Sequence, residues 1–143
     1  PIKNLVDSGK MSRQEADCVR ASDLEIFINS PLGQKMKIAA GNNRLFREQP
    51  FMISKSASQL DERWDEKERV LVQGIIDAYF LEGNQIVLVD YKTDYVKKGE
   101  EQKLVLRYRI QLEDYAQALE QMTGRKVKEK YIYSFALRKA ILL

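Results

Sequence analysis

No histidine occurs among the 143 residues, and the chain holds a single cysteine, a single tryptophan and three prolines. The missing imidazole excludes Ser-His and Cys-His catalysis and every histidine-based metal site within this sequence. One thiol excludes an internal disulfide, and the helical-looking context of Cys18 predicts a packed or idle side chain. No apolar run approaches the roughly 18 residues of a membrane span, and the opening PIKNLVDSGK lacks the apolar stretch of a signal peptide. A soluble, cytoplasmic protein with no membrane partner is the expectation. The GxxxxGK motif followed by Ser or Thr is also missing, which excludes a phosphate-cradling loop for ATP. The sequence begins with Pro1 rather than Met, which predicts a part excised from a longer product.

What is there is ordinary in amount: 44% hydrophobic and 31% charged residues suit one domain over residues 1–143 with a real core. The charge is unevenly placed. From Tyr95 onward eleven Lys or Arg face six Asp or Glu, whereas the first 94 residues hold thirteen against fifteen. The C-terminal third is therefore the part that would attract a phosphate backbone.

Two strand-like runs, GIIDAYFLE (Gly74 to Glu82) and QIVLVDYKT (Gln85 to Thr93), are joined by Gly83-Asn84, a two-residue hairpin signal. With that turn, residues whose numbers sum to 167 face each other, so Asp77 lies opposite Asp90. Like charges directly opposed are destabilising. A divalent cation between the carboxylates would compensate, since Mg²⁺ takes one or two carboxylates plus waters and phosphate oxygens. A structural salt bridge from Lys92 is the competing reading, because Lys92 shares the Asp90 face one pleat further on. Tyr91 points to the other face, but its backbone carbonyl lies between the acidic side chains as a further oxygen ligand.

Around this hairpin, Ser12-Arg-Gln-Glu15 and Ser22-Asp-Leu-Glu25 match the capping-box pattern and predict two short helices. Ser30-Pro31 reads as the start of another, with Gly41-Asn42-Asn43 its stop. Leu45 to Ile53 reads as a strand interrupted by Pro50, and the segment around Trp64 as a loop. VKKGEEQK (Val96 to Lys103) reads as a mobile charged loop. Leu104 to Met122 has helical spacing, with Leu112, Tyr115, Leu119 and Met122 on one face and Gly124 as cap, and Lys130 to Leu137 reads as a final strand. The order predicts an α/β fold: a mixed central sheet flanked by helices, with a helical N-terminal third.

Further candidates sit on the long helix and the first strand. Gln111 and Tyr115, four apart, share a helix face with Arg107 one turn earlier, although a tyrosine at that spacing is usually core. Glu48, in REQPF, is either another acid of the site or an edge residue.

GIID, then DYKT after a hairpin, then QLEDYAQAL on the following helix resembles the RecB-type branch of the PD-(D/E)XK nuclease superfamily. Each piece alone is weak, but order and spacing together are specific. KYIYSFALRKAILL, the helical lead-in and REQPF further resemble the C-terminal nuclease domains of AddA-type (RexA-type) subunits of bacterial helicase-nucleases. The resemblance covers nearly the whole chain. It implies a restriction-endonuclease-like core in which Asp77 and Asp90 hold Mg²⁺, or Mn²⁺ in its place, and Lys92 is the catalytic lysine. Gln111 and Tyr115 match the branch's glutamine-tyrosine signature, which places DNA or braces the active-site helix.

The implied activity is metal-dependent hydrolysis of DNA phosphodiester bonds, leaving a 5′-phosphate, during processing of double-strand breaks for recombinational repair. The implied partners are DNA, the helicase portion of the same polypeptide and a second subunit of AddB or RexB type. The family also supplies a metal-binding histidine from an earlier helix. This sequence has none, and truncation before Pro1 is the expected reason, with true loss as the alternative. Two other readings are a catalytically silent nuclease-like module that binds DNA or a partner, which intact Asp77, Asp90 and Lys92 disfavour, and a stand-alone exonuclease of the superfamily.

Overall fold

The computed structural model of the chain describes residues 20–59 and 61–143. The Ser12 to Glu15 helix start and Cys18 lie outside them. Helix α1 covers Ala21–Asn29 and α2 covers Pro31–Gly41. Strand β1 (Leu45–Ser56) ends in a short 3-10 turn, Ala57–Gln59, and β2 (Arg69–Glu82) and β3 (Gln85–Lys92) form the hairpin. Helix α3 (Glu101–Thr123) crosses to β4 (Val127–Ser134), and β5 (Lys139–Leu142) ends the chain. The five strands lie in sequence order, and only the β3–β4 pair is parallel. A parallel pair needs a crossover connection, which α3 provides. This is the mixed α/β sheet flanked by helices that the sequence predicts.

The hairpin forms where Gly-Asn placed it, with Gly83 in the left-handed region (φ 65°) and Glu82 paired with Gln85. Pro50 is accommodated because β1 is an edge strand, where a missing N–H leaves no neighbour unsatisfied. Each sheet face carries its own core. Leu24, Phe27, Leu32 and Met36 of α1 and α2 pack on Phe80, Val87, Val89 and Tyr91, while Leu104, Leu112, Tyr115 and Leu119 of α3 pack on Ile76, Tyr79, Ile86 and Leu88.

Strand alternation breaks at Asp77. Ile76 and Tyr79, three apart, both face the α3 side, whereas Ala78 and Phe80 face α1 and α2. On the neighbouring strand, Arg47 pairs with Ala78 and Gln49 with Ile76, but Glu48 between them has φ 47° and forms no pair with Asp77. This kink lets the far half of the β1–β2 ribbon turn Phe51, Ile53 and Val72 toward α3 while the near half serves the other core. A left-handed glutamate is uncommon and costs roughly 1–2 kcal/mol.

Several expected boundaries shift. Ser22 is not a cap: α1 starts one residue earlier, its N-cap position is Arg20, and no side chain caps it. Ser30 does cap α2, its Oγ accepting from the Gly33 N–H at 3.1 Å. The predicted loop from Val96 to Lys103 is shorter, since α3 already begins at Glu101 and Val96 is buried as an anchor. Met122 stays 47% exposed in the last turn of α3, at the outer edge beside Pro50 and Met52. The last predicted strand begins earlier, at Val127, and stops at Ser134, where Arg138 (φ 55°) precedes the unforeseen β5.

The α1–α2 corner depends on close backbone approach at Gly33. A Cβ there would lie 2.1 Å from the Phe27 carbonyl oxygen and 2.9 Å from that of Ile28. Gly33→Ala is expected to destabilise the chain by about 3 kcal/mol in urea titration, because rigid backbone must move. Gly41→Ala, with open space around it, should stay within about 0.5 kcal/mol of the parent or gain slightly.

Candidate active site

The β2–β3 ladder runs in the register set by the turn and its last pair is Ala78 with Val89, so Asp77 and Asp90 are the next residues, where the strands part. Asp77 Oδ2 accepts the Tyr91 N–H at 2.9 Å, so a side chain takes a backbone donor at the point where the ladder ends. The N–H and C=O of one strand residue lie on the same side, so the Tyr91 carbonyl is also directed toward β2.

Asp90 is buried at 2% exposure. Lys92 Nζ stands 2.8 Å from its Oδ2. The contact is an ion pair rather than a directed hydrogen bond, for Oδ2 has no aligned donor. Lys92 also donates to Gln111 Oε1 at 3.0 Å and lies 3.9 Å from the centre of the Tyr108 ring. Burial alone would lower the pKa of the Lys92 ammonium, but the charges of Asp90 and Asp77 and contact with Asp90 outweigh it and hold the group above its ordinary 10.5. Lys92 is therefore a cation at neutral pH in the metal-free chain. The like-charge opposition of Asp77 and Asp90 is thus balanced within the chain itself, by the Tyr91 N–H on one and Lys92 on the other.

Helix α3 lids this row. Tyr115 packs edge-on to Phe51 with ring centres 5.1 Å apart. Its phenol is pushed up to about 12, by burial first and then by the charges of Asp90, Asp77 and Asp114, so it remains a neutral donor. Asp114 itself pairs with Lys55 of β1 at 2.8 Å, largely buried, which ties α3 to the ribbon. Gln111 and Tyr115 therefore face the carboxylates, but Arg107 does not join them: it reaches Asp94 Oδ2 at 2.6 Å in a mostly exposed pair. At 3.6 residues per turn each step of four drifts about 40°, and two such steps carry Arg107 off the inner face. Glu48 is exposed, across the kink from Asp77.

The residues missed from sequence are Asp94 and Tyr108. Tyr108 donates to Asp94 Oδ2 at 2.7 Å, and the only signal was the position of Asp94 two residues beyond Lys92. Burial acts to raise the Asp94 pKa, but the hydrogen bonds from Tyr108 and Arg107 outweigh it and hold the carboxyl below its ordinary 3.8.

The donor set suits a hard, oxygen-seeking cation held largely by waters and substrate: two carboxylates and a backbone carbonyl, with the buried Asp90 Oδ2 lacking an aligned donor. Among the described residues no three His, Cys, Asp or Glu side chains gather as a metal-holding group.

A family model described as the PD-(D/E)XK nuclease superfamily matches residues 11–141. Among curated proteins, an ATP-dependent helicase/nuclease subunit from Acetivibrio thermocellus is 43% identical over 138 residues, 94% of this chain. Its counterparts in Clostridium novyi and Clostridium perfringens are 38% and 37% identical over 94% and 98% of the chain. The chain spans 11% of the length of each of these relatives. Among the described residues no helix is long and apolar enough to cross a membrane.

Lys92→Met should cost about 3 kcal/mol in denaturant unfolding, since it leaves a buried carboxylate without its cation. The Lys92→Met/Asp90→Leu double variant should recover most of that loss. A single variant as stable as the parent would show that the pair holds nothing.

Asp94 supplies a pH dependence of known sign. Its folded-state pKa is depressed, so its contribution to stability is present above the ordinary 3.8 and is lost as pH falls through the lower folded value. Asp94→Asn should therefore lower the melting temperature at neutral pH, with the gap from the parent closing below pH 3.8. Parallel curves down to the acid limit would contradict it.

Proposed function

The chain belongs to the PD-(D/E)XK nuclease superfamily, and on that footing we propose that it hydrolyses DNA phosphodiester bonds with a divalent cation at Asp77 and Asp90. The observation that carries this reading is the placement of two carboxylates at the parting of β2 and β3, with the Lys92 ammonium beside them. Bound there, Mg²⁺ or Mn²⁺ would supply Lewis-acid stabilisation of the phosphate and a more acidic water. Asp77, Asp90 and the Tyr91 carbonyl would hold it.

Lys92 neutralises charge developing on a phosphate oxygen, a role that its place beside Asp90 favours. Gln111 holds the ammonium from the α3 side. Tyr115, neutral and adjoining the carboxylates, braces α3 against β1 through Phe51. Glu48 is the remaining acid near Asp77, and Arg107 with Asp94 borders the site.

The relatives are named as parts of helicase/nucleases and are far longer. We therefore place this chain as the nuclease part of a helicase-nuclease that trims double-strand break ends for recombinational repair in the bacterial cytoplasm. ATP-driven unwinding belongs to the rest of the polypeptide, and a second subunit of AddB or RexB type is the expected partner.

The test is cleavage of labelled linear single- and double-stranded DNA by the chain, with Mg²⁺, with Mn²⁺ and with chelator. Cleavage should require the cation and fall by at least about 100-fold in Asp77→Ala and in Asp90→Ala, with Mn²⁺ affinity reduced in calorimetry. Activity surviving both substitutions would overturn the assignment. Cation-independent DNA binding without cleavage, unchanged in both variants, would favour the silent module.

A further inference from the structure

Lys92 is held on three sides, and only one of them is a carboxylate. Asp90 Oδ2 is 2.8 Å from Nζ, Gln111 Oε1 is 3.0 Å away, and the Tyr108 ring centre is 3.9 Å away. The ring is not free to drift. Its hydroxyl donates to Asp94 Oδ2 at 2.7 Å, and Asp94 is joined to Lys92 through a single intervening residue, Thr93. Strand end, carboxylate, phenol and ammonium thus form a closed circuit: the chain that carries Lys92 out of β3 also fixes the aromatic face on which its charge rests. Arg107 grips the same Asp94 oxygen from the preceding helical position, which fixes the carboxylate.

We propose that Tyr108, anchored by Asp94, is a positioning residue that keeps the Lys92 ammonium in place independently of Asp90. This rests on the nuclease reading and adds to it a requirement that reading leaves open. A divalent cation and Lys92 compete for the electron density of Asp90. A lysine held by Asp90 alone would swing away when that carboxylate turned to the metal, because its four-carbon stem is flexible. A cation against an aromatic face is held by the ring quadrupole, and the attraction grows when both are withdrawn from water, as Lys92 is here. Tyr108 and Gln111 together leave the ammonium where a phosphate oxygen would meet it, whichever partner Asp90 takes.

The placement can be read without turnover. In nuclear magnetic resonance of the metal-free chain, the ε-methylene signal of Lys92 should be displaced upfield by the Tyr108 ring current. The displacement should vanish in Tyr108→Leu and shrink to a similar extent in Tyr108→Phe and Asp94→Ala, which break the same hydrogen bond. In Mg²⁺-dependent cleavage, Tyr108→Leu should lower kcat at least about tenfold with KM for DNA within about twofold, and Tyr108→Phe, which keeps the ring without its anchor, should lose less. A parent without the displacement, or a Tyr108→Leu chain that keeps either the displacement or full kcat, would overturn the proposal. If the parent chain binds DNA and cuts none, the nuclease reading falls, while the resonance still decides whether Tyr108 places Lys92.

Discussion

Setting two carboxylates where neighbouring strands part is the constraint to which the surrounding structure answers. In the interior a lone carboxylate is costly, and a pair more so. The chain meets this with local means: the Tyr91 N–H for Asp77, where the ladder has ended, and the Lys92 ammonium for Asp90. Neither is a full solution, since Asp90 Oδ2 keeps no aligned donor. A buried ion pair of this kind contributes little net stability over an apolar pair of the same shape. On the proposed function, those charges would be kept for a ligand.

The rest of the fold holds that arrangement. Two cores on opposite faces need the strand that carries Asp77 to serve both, and the kink at Asp77 and Glu48 reconciles them. Without it, Ile76 and Tyr79 could not both face α3. Backbone strain at Glu48 thus lies beside the candidate metal ligands, and strain of this kind persists only where surrounding packing over-determines it. Here the packing is the Phe51–Tyr115 contact and the buried Lys55–Asp114 pair, which fix α3 on the ribbon and with it the heights of Gln111 and Tyr115.

The parts legible in the sequence were those set by short-range rules. Gly83-Asn84 dictates a turn, the turn dictates the register, and the register puts Asp77 and Asp90 next after its last pair, Ala78 with Val89. Gly124 stops α3 because it takes a left-handed φ of 71°. What escaped depends on tertiary packing or on a single dihedral. Four-residue β5 exists because β4 offers an edge and Arg138 turns back at φ 55°, neither visible in KAIL itself. Glu101, Gln102 and Lys103 are polar and carry no apolar period, yet they extend α3 because Leu104 and Val105 fix the next turn. Tyr108 looks like one more helix residue until Asp94, on another element, is seen to hold it.

The basic C-terminal third also changes meaning once folded. Much of its positive charge is already spent locally: Lys103 on Glu100, Arg107 on Asp94, Lys128 on Glu82, Arg138 on Asp23 and Lys139 on Glu101. These pairs are largely exposed and screened, and contribute little to stability. Lys97, Lys98 and Arg109 are exposed, and among the described residues none of them has an ion-pair partner. The two lysines follow β3 on the loop that leaves Lys92 and enters α3, and Arg109 lies on that helix. Charges within about 8–10 Å of a binding row act on an approaching phosphate before salt screens them. On the proposed function, the loop between β3 and α3 would both anchor Tyr108 through Asp94 and present Lys97 and Lys98 to a DNA strand.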